Sequence, residues 1–351
     1  MAWRQWGANG RRLGPCNGRG DKVNVMIGIF GAGSIGCYVG GMLAAAGNEV
    51  LFLARPEMAL RLSGGMDLTS LDGAPARMNA PVFVEDVARL AHCKTILVCV
   101  KSMDTGAAGK ALASVIVPGT VVVSLQNGIG NAAVLEAAVP HAAVIDAVVG
   151  FNVALLGERR FHRGTEGSIV LADTPGALEL SALLNGSAIP ADVSRDIRGI
   201  KWGKLLMNLN NAVNALSGLP LKAQLSNREH RVLLAGCIAE ALAVMRKARI
   251  TPARVGKVPP ALMPGLLRLP DPVFRVLAAG MLKMDEEARS SMADDLMRGR
   301  EPEIDFLQGE IVRLGKSLGM ETPVNARVVA SIRQLFADRK AAHSGAARRQ
   351  Q

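Results

Sequence analysis

The sequence is poor in aromatic residues and has no long uninterrupted apolar run. Phe, Trp and Tyr make up 3% of its 351 residues, whereas hydrophobic residues as a whole make up 49%. All-β sandwiches usually contain more aromatic residues, so this balance favours an α/β fold with an aliphatic core. No apolar stretch approaches the roughly 20 residues that a membrane helix needs, so we expect no membrane partner.

Paired cysteines are also lacking. The five cysteines are odd in number and show neither metal-ligand nor redox-pair spacing, so we expect no metal. The first residues contain no apolar core of the kind that a secretory signal needs. Free thiols in such a chain indicate a reducing compartment, and we expect a cytoplasmic protein.

The net charge of +11 could suggest nucleic acid, but much of it lies at the two ends. The first 22 residues carry a net +4 and the last 14 a net +3. A nucleic-acid-binding domain should show a basic stripe interleaved with aromatic residues, so we expect no such partner. Residues 1–25 are interpreted as a disordered or spurious extension before Met26, and residues 338–351 as a solvated basic tail.

Buried-strand patterns alternate with helix-like segments through the first half of the chain. The strand candidates lie at 25–31, 49–54, 95–100, 120–125 and 143–149, with further strands near 160–172 and 190–194. This alternation is typical of a parallel sheet covered on both faces, and predicts a doubly wound Rossmann-type domain over 26–194.

The sequence pattern changes from strand-like to helical near residue 196. Helical periodicity follows at 199–216, 227–248, 272–298 and 302–318, with a proline-rich break at 251–272. We therefore predict an all-α second domain over 195–337.

A complete G-x-G-x-x-G pattern joins the first strand to the first helix. It reads Gly31-Ala32-Gly33-Ser34-Ile35-Gly36. In this context the glycines allow a tight turn, a close approach of the pyrophosphate and close packing of helix on strand. The free N–H groups of the helix then favour phosphate, so the loop predicts a dinucleotide cofactor.

The second strand ends in Arg55, and no acid stands at that end. An acid there would bind the ribose hydroxyls of NAD, but it would repel a 2′-phosphate, which Arg55 can bind. Glu49 lies at the opposite end of the strand. The sequence therefore predicts NADP(H).

Two further polar residues follow strands of the predicted sheet. Lys101 comes after the 95–100 strand, and Asn127 comes after the 120–125 strand. Because strand carboxyl ends line the ligand crevice, both are placed to meet cofactor and substrate. The alternative for Asn127 is an ordinary Asn-Gly turn.

A polar face on the first helix of the second domain is unusual. Lys204, Asn208 and Asn211 are spaced i, i+4, i+7, and asparagine is a poor helix former. Amides beside an ammonium could bind a carboxylate and a hydroxyl, and the lysine could polarise a ketone and protonate its oxygen. A merely solvated face is the alternative. Ser291 and Glu303 flank a later break, where a capping serine and a surface glutamate are the simpler interpretation.

Five motifs, taken together and in this order, resemble the ketopantoate reductase family (2-dehydropantoate 2-reductase). They are GAGSIG, VKSMDT, LQNG, KWGKL-x-x-N and EIDFLQG, and the resemblance spans about residues 26–335. It implies a Rossmann domain followed by a helical domain of the 6-phosphogluconate-dehydrogenase type, and NADPH-dependent reduction of ketopantoate to pantoate on the route to pantothenate.

The resemblance also implies roles for single residues. Gly31 to Gly36 would hold the pyrophosphate and Arg55 the 2′-phosphate, while Lys101 and Asn127 would line the nicotinamide end. Lys204 would be the proton donor. Asn208 and Ser291 would hold the substrate, and Glu303 would hold the cofactor ribose and the surroundings of the catalytic lysine.

The chain departs from the family at one position. The family's second substrate asparagine would fall at Ala212, so either Asn211 or Asn214 takes its place. The departure leaves open a paralogue that reduces another small 2-oxo acid. A protein that senses NADP(H) without catalysis is a rival of another class, and a homodimer through the helical domain stays open.

Overall fold

The protein is described by a computed structural model that covers residues 26–71, 73–256, 258–279 and 286–348, with side chains up to residue 342. The chain divides into two compact units after Ile197, close to the expected division at 194. The expected extension over residues 1–25 lies outside the described residues. The expected basic tail begins inside a helix, since the last helix continues to Arg348.

The strands of the N-terminal unit form two sheets. In chain order they are β1 Met26–Phe30, β2 Glu49–Leu53, β3 Met66–Ser70, β4 Ala76–Met78, β5 Val82–Val84, β6 Thr95–Val98, β7 Val121–Ser124, β8 Ala143–Val149, β9 Val153–Leu156, β10 Arg160–Arg163, β11 Ile169–Ala172 and β12 Ala191–Ser194. The helices of this unit are α1 Ser34–Ala45, α2 Pro56–Leu62, α3 Thr105–Ala113, α4 Asn131–Ala138 and α5 Ala177–Gly186.

The larger sheet has eight strands in the order β12-β11-β8-β7-β6-β1-β2-β5. The six strands from β5 to β8 pair in parallel in the Rossmann order. The prediction of a doubly wound sheet is confirmed, with one addition. Strand β11 pairs antiparallel with β8, so the sheet is mixed at this edge.

Both faces of the larger sheet are buried. On β6, Leu97 belongs to one apolar cluster with α1 and α5, whereas Ile96 and Val98 belong to a second cluster with α3 and α4. Successive strand residues point to opposite faces, so a continuous apolar run is what a sheet covered on both sides requires.

The smaller sheet was not predicted. Its order is β4-β3-β10-β9, and α1 packs against it as well as against the larger sheet. Gly40 and Gly41 make this double packing fit: a Cβ at Gly40 would meet the Phe52 ring at 2.6 Å, and one at Gly41 would meet Leu68 at 2.9 Å. Helix α1 is therefore enclosed on two sides.

The C-terminal unit is helical. Its helices are α6 Ile197–Ser217, α7 Leu221–Ser226, α8 Arg228–Lys247, α9 Met263–Arg268, α10 Asp271–Leu277, α11 Ser291–Met297, α12 Gln308–Ser317 and α13 Pro323–Arg348. The segment 272–298, which shows helical periodicity in sequence, is not one continuous helix, because α10 ends at Leu277 and Ser290 caps a new helix. Across the described ranges, none of the helices combines the length and apolarity needed to cross a bilayer.

Candidate active site

The glycine loop has the geometry of a phosphate cradle. Gly31 has φ +110, which favours glycine, and a Cβ there would meet the Val100 backbone nitrogen at 2.9 Å. A Cβ at Gly36 would overlap the Gly31 carbonyl oxygen. Gly33 is the N-cap of α1 and has no capping side chain. The first N–H groups of α1 thus remain available to an anion, and the loop fits the expected pyrophosphate.

Arg55 lies at the carboxyl end of β2, next to this loop in the parallel sheet. It is the N-cap of α2, and its side chain is exposed. Glu49 begins the same strand and pairs with Met26 at the opposite edge of the sheet. The only charged group in the segment that joins β2 to α2 is therefore the Arg55 guanidinium.

Lys101 and Asn127 follow the neighbouring strands β6 and β7, so they lie at the same edge of the sheet. Both side chains are partly buried. Gly128 has φ +92, and residues 127–130 form a bend. The bend begins at Asn127, close to the carboxyl end of β7.

Sequence reasoning missed a set of buried polar residues beneath these two loops. The set, which we call the Thr105 cluster, consists of Ser102, Thr105, Gln126 and Asn131, and its members hydrogen-bond to one another and to the loop backbone. The only sequence signal for this cluster was the recurrence of small polar residues around VKS and QNG. Without knowledge of the fold, such residues indicate only ordinary turns.

In the C-terminal unit, Lys204 lies on α6 with its side chain partly buried. Burial lowers the pKa of Lys204 from 10.5 to about 8, the nearby Glu303 carboxylate opposes the shift, and the Lys201 ammonium adds to it. Glu303 therefore comes close enough to Lys204 to act on its charge. A lysine that gives up its proton near neutral pH suits general acid chemistry.

The asparagines of α6 differ in burial. Asn208 and Asn211 are partly buried, whereas Asn214 and Ala212 are fully buried. The Asn214 amide donates to the Leu219 carbonyl at 2.9 Å and accepts from the Ser290 backbone N–H at 2.9 Å. Both ends of this amide are therefore used inside the helical unit.

Ser291 is the exposed first residue of α11, and its neighbour Ser290 fixes this helix to α6. The Ser290 hydroxyl donates to the Asn211 carbonyl at 2.9 Å and accepts from the Ala293 N–H at 3.2 Å. A second tie comes from the buried Gln308, which donates to the Leu209 carbonyl at 2.7 Å. These bonds hold the start of α11 and the segment after Glu303 against α6.

Comparison with known proteins agrees with this arrangement. The family described as Ketopantoate reductase PanE/ApbA matches residues 27–176, and its C-terminal counterpart matches residues 196–336. The chain belongs to the ketopantoate reductase family. Members of this family are oxidoreductases, and the resemblance inferred from the five motifs is confirmed.

Curated relatives in the ketopantoate reductase family match over nearly their whole length. The chain is 28% identical to the 2-dehydropantoate 2-reductase of Archaeoglobus fulgidus, over 87% of this chain and 96% of that protein. It is 25% identical to the enzyme of the same name from Mycobacterium tuberculosis, over 85% and 94%.

Solved structures give the same fold. A PanE/ApbA family ketopantoate reductase from Ralstonia eutropha has a TM-score of 0.77 and 29% identity, covering 90% of this chain and 100% of that one. A D-mandelate dehydrogenase solved with NADH and anilino(oxo)acetate has a TM-score of 0.75 and 21% identity, with the same coverage. The ketopantoate reductase fold thus also occurs in proteins with other names.

Proposed function

We propose that the chain catalyses the NADPH-dependent reduction of 2-dehydropantoate (ketopantoate) to pantoate, the step that feeds pantothenate synthesis. The observation that carries the proposal is Lys204, whose lowered pKa and neighbour Glu303 suit a proton donor. The family supplies the reaction class, and relatives at 25–28% identity carry the name of this reductase.

The cofactor fits the N-terminal unit. A Cβ at Gly31 or Gly36 would overlap the protein's own atoms, whereas Gly33 leaves open space at the start of α1, which offers its N–H groups to the pyrophosphate. Arg55 would bind the 2′-phosphate, and Lys101 and Asn127 would border the nicotinamide. When bound, the reduced nicotinamide supplies the hydride that reaches C2 of the oxo acid.

The helical unit would bind and protonate the substrate. Asn208, Asn211 and Ser291 would orient the carboxylate and hydroxyl groups, while the Lys204 ammonium polarises the C2 carbonyl. As charge develops on that oxygen, Lys204 donates its proton to it. We prefer Asn211 to Asn214 here, because the Asn214 amide is already bonded at both ends.

The first test is steady-state NADPH oxidation with ketopantoate and a panel of other 2-oxo acids. Lys204→Met should lower kcat about a hundredfold or more, since general acid catalysis contributes on that order. The matched control is Lys222→Met in the same unit, because the Lys222 side chain is 42% exposed and forms an ion pair with Glu286. Unchanged kcat in a folded Lys204→Met protein would remove Lys204 from the mechanism.

Cofactor preference is tested separately. Arg55→Met should raise the KM for NADPH about tenfold or more while leaving the KM for NADH nearly unchanged, because only NADPH carries the 2′-phosphate. An equal change with both cofactors, or a wild-type preference for NADH, would contradict the assignment of NADP(H).

The second candidate is reduction of a different small 2-oxo acid. It is favoured by Ala212, which is fully buried where the family has a substrate asparagine. Turnover in the panel with another oxo acid, and not with ketopantoate, would select it. Tight NADPH binding without any turnover would instead favour a sensing protein.

Compartment and assembly complete the proposal. Cys37, Cys93, Cys99 and Cys237 are free thiols, which suits a reducing cytoplasm. Helix α10 exposes Val276 and Leu277 on the helical unit, and these side chains are candidates for a homodimer contact. Light scattering distinguishes the 36.9 kDa monomer from a dimer.

A further inference from the structure

The Thr105 cluster lies where β6 and β7 end, and its side chains are almost fully buried. Ser102, Thr105, Gln126 and Asn131 are 3%, 2%, 6% and 3% exposed. A buried polar group without a partner costs free energy, so such groups are found with hydrogen bonds. Every member of this cluster has at least one bond to another part of the two loops.

Thr105 is the centre of the cluster. Its hydroxyl oxygen accepts a hydrogen bond from the Gln126 side-chain amide at 2.7 Å. The same hydroxyl lies 2.9 Å from the Ser102 carbonyl and 2.9 Å from the Asn131 amide oxygen. Its single proton can go to either acceptor. Removing this one hydroxyl therefore disturbs contacts to three residues at once.

The outer bonds of the cluster hold the backbone of both loops. The Asn127 carbonyl accepts from the Ser102 hydroxyl at 2.7 Å and from the Asn131 amide. On the other loop, the Gln126 amide donates to the Val100 carbonyl at 3.1 Å. The cluster thus fixes the peptide group at Asn127 and the one next to Lys101 through hydrogen bonds to their carbonyl oxygens.

We propose that the Thr105 cluster positions Asn127 and Lys101 at the nicotinamide end of the cofactor site, with Thr105 as its key positioning residue. This inference rests on the proposed function, because it takes the two loops as the border of the nicotinamide. The hydrogen bonds given above join the cluster to the loops after β6 and β7, which carry Lys101 and Asn127. The effect of the cluster should therefore be confined to one half of the cofactor.

The experiment compares two ligands on the complete chain by calorimetry: NADPH, and adenosine 2′,5′-bisphosphate, which lacks the nicotinamide half. Thr105→Val keeps the side-chain volume but removes the hydroxyl. It should weaken NADPH binding about tenfold and lower kcat, since a charged or buried bond network is worth that order. Binding of adenosine 2′,5′-bisphosphate should stay within about twofold of wild type.

Two further variants separate positioning from packing. Thr105→Ser keeps the hydroxyl and loses a methyl group, so it should restore NADPH affinity if the bonds matter and should be the worse variant if only packing matters. Ser187→Ala removes a buried hydroxyl that donates to the Leu183 carbonyl at the end of α5, and it should alter neither affinity. If Thr105→Val does not fold, Ser102→Ala takes its place. It should weaken the binding of NADPH to the same extent and leave the binding of adenosine 2′,5′-bisphosphate unchanged.

The outcomes distinguish this inference from the proposed function. Equal loss for both ligands, or a lower melting temperature with unchanged NADPH affinity, would overturn the positioning role while leaving the reductase proposal intact. The positioning role would also be overturned if the wild-type protein bound NADPH no more tightly than adenosine 2′,5′-bisphosphate. A wild-type protein that binds neither ligand would overturn the proposed function and the inference with it.

Discussion

The charge state of Lys204 gives a pH dependence that can be worked out from its surroundings. With a pKa of about 8 instead of 10.5, the lysine loses its proton within the range of an ordinary assay. As the donor must be protonated, reduction should fall as pH rises through 8. At pH 7 about nine tenths of the lysine is protonated, and at pH 9 about one tenth.

The assay is kcat/KM for the oxo acid at saturating NADPH from pH 6 to 10. We expect a fall of about tenfold between pH 7 and pH 9, whereas an ordinary lysine would leave the rate nearly flat over that interval. Oxidation of the product in the reverse direction needs the unprotonated lysine. Its rate should therefore rise over the same interval.

Two neighbours of Lys204 should move this transition in opposite directions. The Glu303 carboxylate raises the pKa of Lys204, so Glu303→Gln should shift the fall to lower pH. The buried Lys201 ammonium lowers it, so Lys201→Met should shift the fall to higher pH. A profile that stays flat to pH 9.5, or a shift of both variants in the same direction, would refute the electrostatic reasoning.

Two further predictions concern the helical unit. Arg231→Met should lower the free energy of unfolding by about 3 kcal/mol, because the fully buried guanidinium donates to the Leu267 and Leu269 carbonyls and to Asp271. Chemical denaturation measures this change, and an unfolding free energy equal to that of wild type within error would contradict the prediction. Asn214→Leu should likewise lower stability by about 2–3 kcal/mol by leaving the Ser290 N–H unpaired. Asn211→Ala should instead raise the KM of the oxo acid with little change in melting temperature. If the Asn211 variant lost stability and the Asn214 variant lost substrate affinity, Asn214 would be the substrate residue and Asn211 the structural one.

The sequence predicted the parts of the fold whose pattern is strong and local. The apolar runs of β1, β2, β6 and β7 mark the larger sheet, because strands buried on both faces contain almost no polar residues. The strands of the smaller sheet have three to five residues and mixed composition, so they carry little periodicity. The helical periodicity over 272–298 did not reveal the break before α11, where Ser290 is held by Asn211 and Asn214, which are distant in sequence.

The candidate site shows the same division. The glycine loop and Lys204 could be named because a phosphate cradle and a helical lysine face have recognisable spacing. The Thr105 cluster could not, because its four members become neighbours only when β6 and β7 pair. The choice between Asn211 and Asn214 likewise needed the position of Ser290.

The enclosure of α1 between two sheets has a consequence for how the protein acquires its cofactor site during folding. The helix contains three glycines and no charged residue, so its intrinsic helix propensity is low and it presents no polar face to water. It gains most of its stability from partners on both sides, one of which includes β10, more than a hundred residues further along the chain. A nascent chain that has reached only β2 therefore contains the whole glycine motif without a stable nucleotide-binding helix, and binding competence should appear only after β10 has joined the smaller sheet.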